Sequence, residues 1–283
     1  MKKLVYLLLG GITLPLWSQG GTEVYTAQLK LTENGYRIEQ LANRSQNSGY
    51  DNQPSFWSED AILYASTRSE QTDVVMYHLD TEKQAWRCAT AQGSEYSPLR
   101  IPGSEAFSAI RLDTSGLQRL YRYGPTGEYT LVHPDLKIGY HLWIDATTLL
   151  CTVLVDNRMD LYVLNTKSGK TTRLQTQVGR SLHKIPSSTL VSYIHWENEK
   201  AVIKTLDFST QTHTPVFILP QGVQDHAWLP NGHLIYGQGH ALYSAAPSTE
   251  AVLFHQFEAG QIKNISRLAI SPRGNHLALV GEE

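Results

Sequence analysis

A frame of four short strand-like runs recurs about every 42 to 44 residues, half a frame is left over at each end, and 15 Tyr, 6 Trp and 21 Gly accompany hardly any helix-period pattern. Together these predict an all-β chain, a six-bladed β-propeller closed by N-terminal strands that complete the last blade. With 283 residues, 41% of them hydrophobic, the chain can bury a sizeable core. The near balance of 24 Lys+Arg against 26 Asp+Glu, at 18% charged, argues against a disordered tail and against a nucleic-acid partner, which would need clustered positive charge.

The N-terminus differs in composition from the rest of the chain. Met1-Lys2-Lys3 is a short basic stretch, and the apolar run Leu4 to Trp17, interrupted by Gly10, Gly11 and Pro15, leads to Ser18-Gln19-Gly20. This is the pattern of a secretory signal peptide over residues 1–18, cut near Ser18. The run is shorter than the roughly 20 residues that span a bilayer, so no membrane span is expected after cleavage. The expected product is a periplasmic or secreted monomer, residues 19–283, forming one propeller domain.

Thr22 to Leu29 reads as a third strand and Tyr36 to Leu41 as a fourth, with Asn34-Gly35 as the turn between them. The first complete frame follows: Asn52 to Ser58, Ala61 to Ser66, Asp73 to Asp80 and Gln84 to Arg87. Taking Pro54 as anchor, the equivalent positions are Pro98, His141, His183, His226 and Leu268. Second strands begin at or near Phe107, Leu150, Val191, Ile235 and Leu277. Third strands return at Leu120–Tyr123, Asp160–Leu164, Ala201–Leu206 and Ala241–Tyr243, and fourth strands at Tyr129–Val132, Thr171–Leu174, Pro215–Ile218 and Ala251–Phe254. The last frame, Ile265 to Val280, holds only a first and a second strand around Ser271-Pro272-Arg273-Gly274. The missing two are the pair at the N-terminus, so one blade is shared between the chain ends and no sheet edge is left over. Cys88 and Cys151 fall in non-adjacent blades, too far apart to bridge, and are expected as buried free thiols.

Pro54-Ser55-Phe56-Trp57-Ser58 and Ala269-Ile270-Ser271-Pro272-Arg273-Gly274 resemble the Pro-x-aromatic-Ser-Pro-Asp-Gly pattern of TolB-like propeller repeats, and Leu63-Tyr64-Ala65-Ser66 is similar to the second strand of that repeat. The resemblance implies a periplasmic, non-catalytic propeller that contacts other proteins or envelope components. Some propellers related to this repeat are lyases with a histidine-built metal site in the channel. A metal-dependent lyase or hydrolase acting on polysaccharide fragments is therefore the alternative reading, and a sensor of peptidoglycan or peptide a third.

Catalytic signatures are otherwise missing: no Gly-x-Ser-x-Gly elbow, no His-Glu-x-x-His, no Cys-x-x-Cys. Gly169-Lys170-Thr171 copies the end of a phosphate-binding loop, but Leu164 stands where that loop needs its first Gly, so a hairpin turn is the reading preferred. His141, His183 and His226 share the anchor position in three consecutive blades, and first strands line a propeller's channel. Three imidazoles could then meet at one ion, with Tyr140 and Asp225, each one residue ahead of an anchor, as further ligand or supporting partner. The reading preferred is a channel mouth of hydrogen-bonded polar residues, open to an envelope protein, a peptide or a glycan, with no cofactor. Trp57, Trp143 and Trp228, two or three residues beyond their anchors, are expected to pack between blades. Asp73, Asp160 and Asn157 are expected to cap the turns before third strands.

Overall fold

The runs that are apolar without alternation are the second strands, and the structure shows why: Ala61–Arg68, Thr148–Val155 and His276–Glu282 each lie inside a sheet whose two faces are both covered. Fourth strands such as Lys83–Cys88 and Thr212–Ile218 lie at the rim and are mostly exposed. The computed structural model describes residues 21–33, 35–88, 90 and 93–282. Among these there are six four-stranded antiparallel sheets and no helix, hence no helix long and apolar enough to cross a membrane.

Numbered by their first strands, the blades begin at Asp51–Ser58, Ser94–Arg100, Ile138–Trp143, Val178–Lys184, Ala227–Trp228 and Lys263–Ile270. In blades 1 to 5 the strands follow one another outward as a meander. Blade 6 is composite: Glu23–Thr32 pairs with His276–Glu282, with Val24 opposite Val280 and Tyr25 opposite Leu279, and Gly35–Asn43 forms its outer strand. The ring is thus closed as the two half-frames require. Gly35 takes φ +104°, the left-handed region a tight turn demands. Its expected turn partner Asn34 and the expected signal peptide of residues 1–18 lie outside the described residues.

Apolar clusters sit between neighbouring blades and act as the joints of the ring. Phe107, Ala109 and Tyr123 of blade 2 pack against Leu63 and Val74 of blade 1, and Ile138, Trp143 and Leu149 of blade 3 pack against Ile110 and Leu120 of blade 2. At the closing joint, Val24 and Val280 of blade 6 meet Ile62, Tyr64 and Val75 of blade 1. Burying side chains of this size contributes about 1.5–3 kcal/mol each, so the joints, more than any one sheet, hold the ring together. A polar contact adds to the closing joint: Glu59, in the first turn of blade 1, accepts hydrogen bonds from Ser271 Oγ at 2.8 Å and from the Arg273 amide at 2.8 Å in the Ser-Pro turn of blade 6.

Three expectations need adjustment. Asp73 and Asp160 stand inside their third strands, fully buried, because each accepts from the side chain two residues earlier, Gln71 and Arg158. Asn157 stays in the exposed turn ahead of Arg158–Asn165. Cys151 is buried, its thiol pushed up to about 12 by desolvation, but Cys88 is only half-buried; both are free. Gly169, at φ +70°, sits in a hairpin turn in which its amide donates to Asn165 O at 2.9 Å, as the failed loop motif implies.

Candidate functional site

Trp143 pairs with Leu149 across its ladder, and Trp228 with Leu234, so blades 3 and 5 share one register. His141 and His226, each two residues earlier, are therefore true equivalents. Both are spent on holding blades together. Trp143 Nε1 donates to Ser108 Oγ of blade 2 at 2.8 Å, and His141 Nε2 lies 2.7 Å from the same oxygen. Trp228 Nε1 donates to Ser192 Oγ of blade 4 at 2.8 Å, with His226 Nε2 at 2.9 Å. Burial holds His141 near pKa 3 and, with the neighbouring His183 as second cause, holds His226 well below its ordinary value, so both rings are neutral.

The expected coincidence of three histidines fails at His183. In blade 4 it is Lys184 that pairs with Val191, as Trp143 pairs with Leu149 and Trp228 with Leu234, so Leu182 holds the place of His141 and His226. The strand is also irregular between Val178 and Leu182, where it spends four residues against two on its partner. His183 meets His226 edge-on at 4.8 Å between centroids, while His141 belongs to a different blade joint. Among the described residues no three His, Cys, Asp or Glu side chains are grouped as a metal ion needs.

A chain of hydrogen bonds leads from the joint to the channel. An indole N–H can only donate, so Ser192 Oγ accepts from Trp228, and it also meets His226 Nε2 at 2.9 Å. His226 Nδ1 lies 3.1 Å from Ser181 Oγ, and Ser181 donates to Asp225 Oδ1 at 3.0 Å. Asp225 is nearly buried, which by itself would push its carboxyl up. Hydrogen bonding with His183 and the charges of Arg267 and Arg180 outweigh this and hold it below the ordinary carboxylate value. Arg267 Nη1 lies 3.5 Å from Asp225 Oδ2, Nη2 lies 3.5 Å from the Tyr140 hydroxyl, and the guanidinium carbon sits 5.2 Å from the Tyr140 ring centroid.

These side chains line a cavity of about 100 Å³ on the axis, to which every blade contributes: Pro54, Pro98, Tyr140, Arg180, Asp225 and Arg267 among others. Toward one face it opens into a mouth of about 790 Å³, again bordered by all six blades, whose wall is set by Trp57, Trp143, Trp228 and a series of prolines, Pro102, Pro186, Pro230 and Pro272. Toward the other it continues into about 260 Å³ between blades 5 and 6, past Arg180, Asp225 and Arg267. Trp143 and Trp228 pack between blades as expected. Trp57 stays partly open at the mouth, with Arg100 stacked 4.5 Å over its ring.

Of the five residues singled out, Tyr140, His183, Asp225 and one edge of His141 thus reach the channel, and His226 stands behind it. The count missed the two arginines. Arg267 was within reach of the same rule, since it precedes the anchor Leu268 as Tyr140 and Asp225 precede theirs. Arg180 was not, because the irregularity after Val178 moves it off the frame.

No family model and no curated protein matches the sequence. Solved structures do match in fold. A TolB-like protein from Agrobacterium tumefaciens superimposes with a TM-score of 0.70 at 14% identity, over 93% of this chain and 99% of that one. An oligogalacturonate lyase in complex with manganese gives 0.58 at 13% identity over 92% and 91%. A gluconolactonase from Xanthomonas campestris gives 0.66 at 10% identity over 93% and 97%. The chain has the TolB-like propeller fold, which it shares with the lyase and the gluconolactonase, so the fold by itself assigns no function.

Proposed function

We propose that this chain is a non-catalytic binding propeller of the cell envelope, exported by its N-terminal segment and engaging a protein or peptide at the mouth of the channel. The observation that supports it most is the mouth itself: a bowl of about 790 Å³ bordered by every blade, walled by aromatic and proline side chains with few ionisable groups, the composition that takes up apolar partner side chains. The histidines are the second support, since His226 commits both ring nitrogens to Ser192 and Ser181, and His141 sits at a different joint from His183 and His226. Export rests on the basic and apolar pattern of residues 1–18.

The test is a photo-crosslinking amino acid placed at Lys184, which is exposed and borders the mouth, and in a second protein at Val252, exposed on the outer strand of blade 5. With the exported form in an envelope fraction, a discrete protein adduct from position 184 that is absent from position 252 and lost on Ile270→Asp supports the reading. Equal labelling from both positions overturns it. So does release of unsaturated uronides from oligogalacturonate on adding manganese, which would make the chain a lyase.

A further inference from the structure

One layer of the channel is asymmetric. Blades 1 to 3 bring tyrosines to it: Tyr50, just ahead of the first strand of blade 1, lies edge-on to Tyr96 of blade 2 at 6.0 Å, and Tyr140 of blade 3 faces Arg267. Blades 4 to 6 bring Arg180, Asp225 and Arg267. Tyr50 lies within range of the charges of both arginines, and burial pushes its hydroxyl up, so it stays neutral. Two guanidiniums therefore face one carboxylate, with His183 beside it, in a site largely withdrawn from water. The balance is one uncompensated positive charge. Like charge is felt directly: desolvation and then Arg267 push Arg180 below its ordinary value.

Donors are also left over. Arg180 Nη2 donates to Ser266 O at 2.8 Å, but its Nε is buried with no partner. Arg267 reaches both Asp225 and Tyr140 only at 3.5 Å, the outer limit of a hydrogen bond. A buried guanidinium N–H without an acceptor is costly and rare in a folded protein, and a charged one more so. An anion between the arginines would satisfy both the charge and the donors. The cavities on either side of them, about 100 and 260 Å³, have room for it.

We infer that the channel centre binds one carboxylate group, held by Arg180 and Arg267 and carried by a peptide, as its C-terminus or an acidic side chain. The planar fork of a guanidinium matches the two carboxylate oxygens. The single excess charge, with Asp225 alongside, suits a monoanion and repels a phosphate dianion. The inference rests on the peptide-binding reading of the mouth and adds what the partner must offer beyond it.

Ligand-observed NMR on the full exported form tests it with two probes, N-acetylglycine and its neutral amide N-acetylglycinamide. The acid binds saturably and the amide does not. Arg180→Met weakens the acid about tenfold or more. Asp225→Asn, which removes the competing carboxylate and is nearly isosteric, tightens it about tenfold, so the two variants move in opposite directions and misfolding cannot imitate the pair. Equal binding of acid and amide, no saturable binding of either, or no response to Asp225→Asn overturns the site. Binding of glucuronate but not of N-acetylglycine overturns its assignment to a peptide. Acid binding that persists when the crosslink at the mouth fails would leave this site standing and the mouth reading not.

Discussion

Trp228 of blade 5 reaches back 2.8 Å to the hydroxyl of Ser192 in blade 4, and Trp143 of blade 3 repeats the contact at the same distance to Ser108 in blade 2. In each, the histidine two residues earlier closes on the same oxygen. One small hydroxyl thereby satisfies two polar groups that the joint would otherwise bury unpaired, and this is why His and Trp can stand among apolar side chains there.

Ser192→Ala should accordingly cost more than the loss of one hydrogen bond. It strands the indole N–H of Trp228 and the Nε2 of His226 in a buried joint, and each such group costs about 1–3 kcal/mol. A loss of about 2–4 kcal/mol in urea-induced unfolding is expected. His183→Ala, at a partly open position on the channel, is expected to lose less than about 1 kcal/mol. A Ser192→Ala protein as stable as the parent would mean that the grip carries no stability.

How much of this could be read in the sequence follows from what each residue does. Second strands betray themselves, because a strand covered on both faces must be apolar throughout, as Ala61-Ile62-Leu63-Tyr64-Ala65 is. The half-frames at Thr22–Leu41 and Ile265–Val280 then dictate closure. Polar positions give no such signal. A histidine that lines a channel and one that locks a joint look alike until Ser108 and Ser192, on other blades, are seen opposite them. Spacing alone likewise does not separate His183 from its neighbour Leu182, which the strand pairing places on the frame of His141 and His226.

Glu95 of blade 2 and Asp73 of blade 1 are both fully buried and close across their joint. Burial raises the Glu95 carboxyl to about 7, hydrogen bonds from Thr90 and Tyr123 oppose this, and the Asp73 charge adds to it. A folded value above the unfolded one, near 4.5, means that the folded state holds a proton the unfolded chain has released. Stability from this group is complete below about pH 4.5 and is lost as pH rises through about 7. Glu95→Gln removes the dependence. The gain of the variant over the parent should be larger at pH 8 than at pH 5, by about 2 kcal/mol, in paired denaturation curves. A difference of opposite sign would place the shared proton elsewhere.

Gly274 closes the Ser-Pro turn of blade 6 at φ +78°, and a Cβ there would clash with Cγ of Pro230, in the corresponding turn of blade 5. Gly232 has nearly the same φ, +81°, but open space around it. Gly274→Ala combines backbone strain with a clash between two turns, for about 2–3 kcal/mol, whereas Gly232→Ala carries the strain alone, about 1 kcal/mol. Comparing the two by thermal unfolding isolates the contact between the blades. Equal losses would show that the turns do not press on each other.

The closing blade provides the strongest test of the fold. Glu23–Thr32 supplies the third strand of blade 6 and carries Val24, which with Val280 fills the joint against Ile62 and Tyr64. A protein lacking residues up to Leu41 loses this strand and most of the outer one. It leaves the backbone edge of His276–Glu282 unpaired and the blade 1 side of the joint open to water. An unpaired edge beside an apolar face is a template for association between chains. The truncated protein is expected to aggregate or to unfold without a cooperative transition, and Val24→Asp to reproduce part of that loss with the edge still paired. Static light scattering and calorimetry on the two proteins separate the contributions: association tracks the edge and appears only in the truncation, while a lowered midpoint tracks the joint and appears in both. A truncated chain that stays monomeric and melts as high as the parent would refute a ring closed by its N-terminal strands.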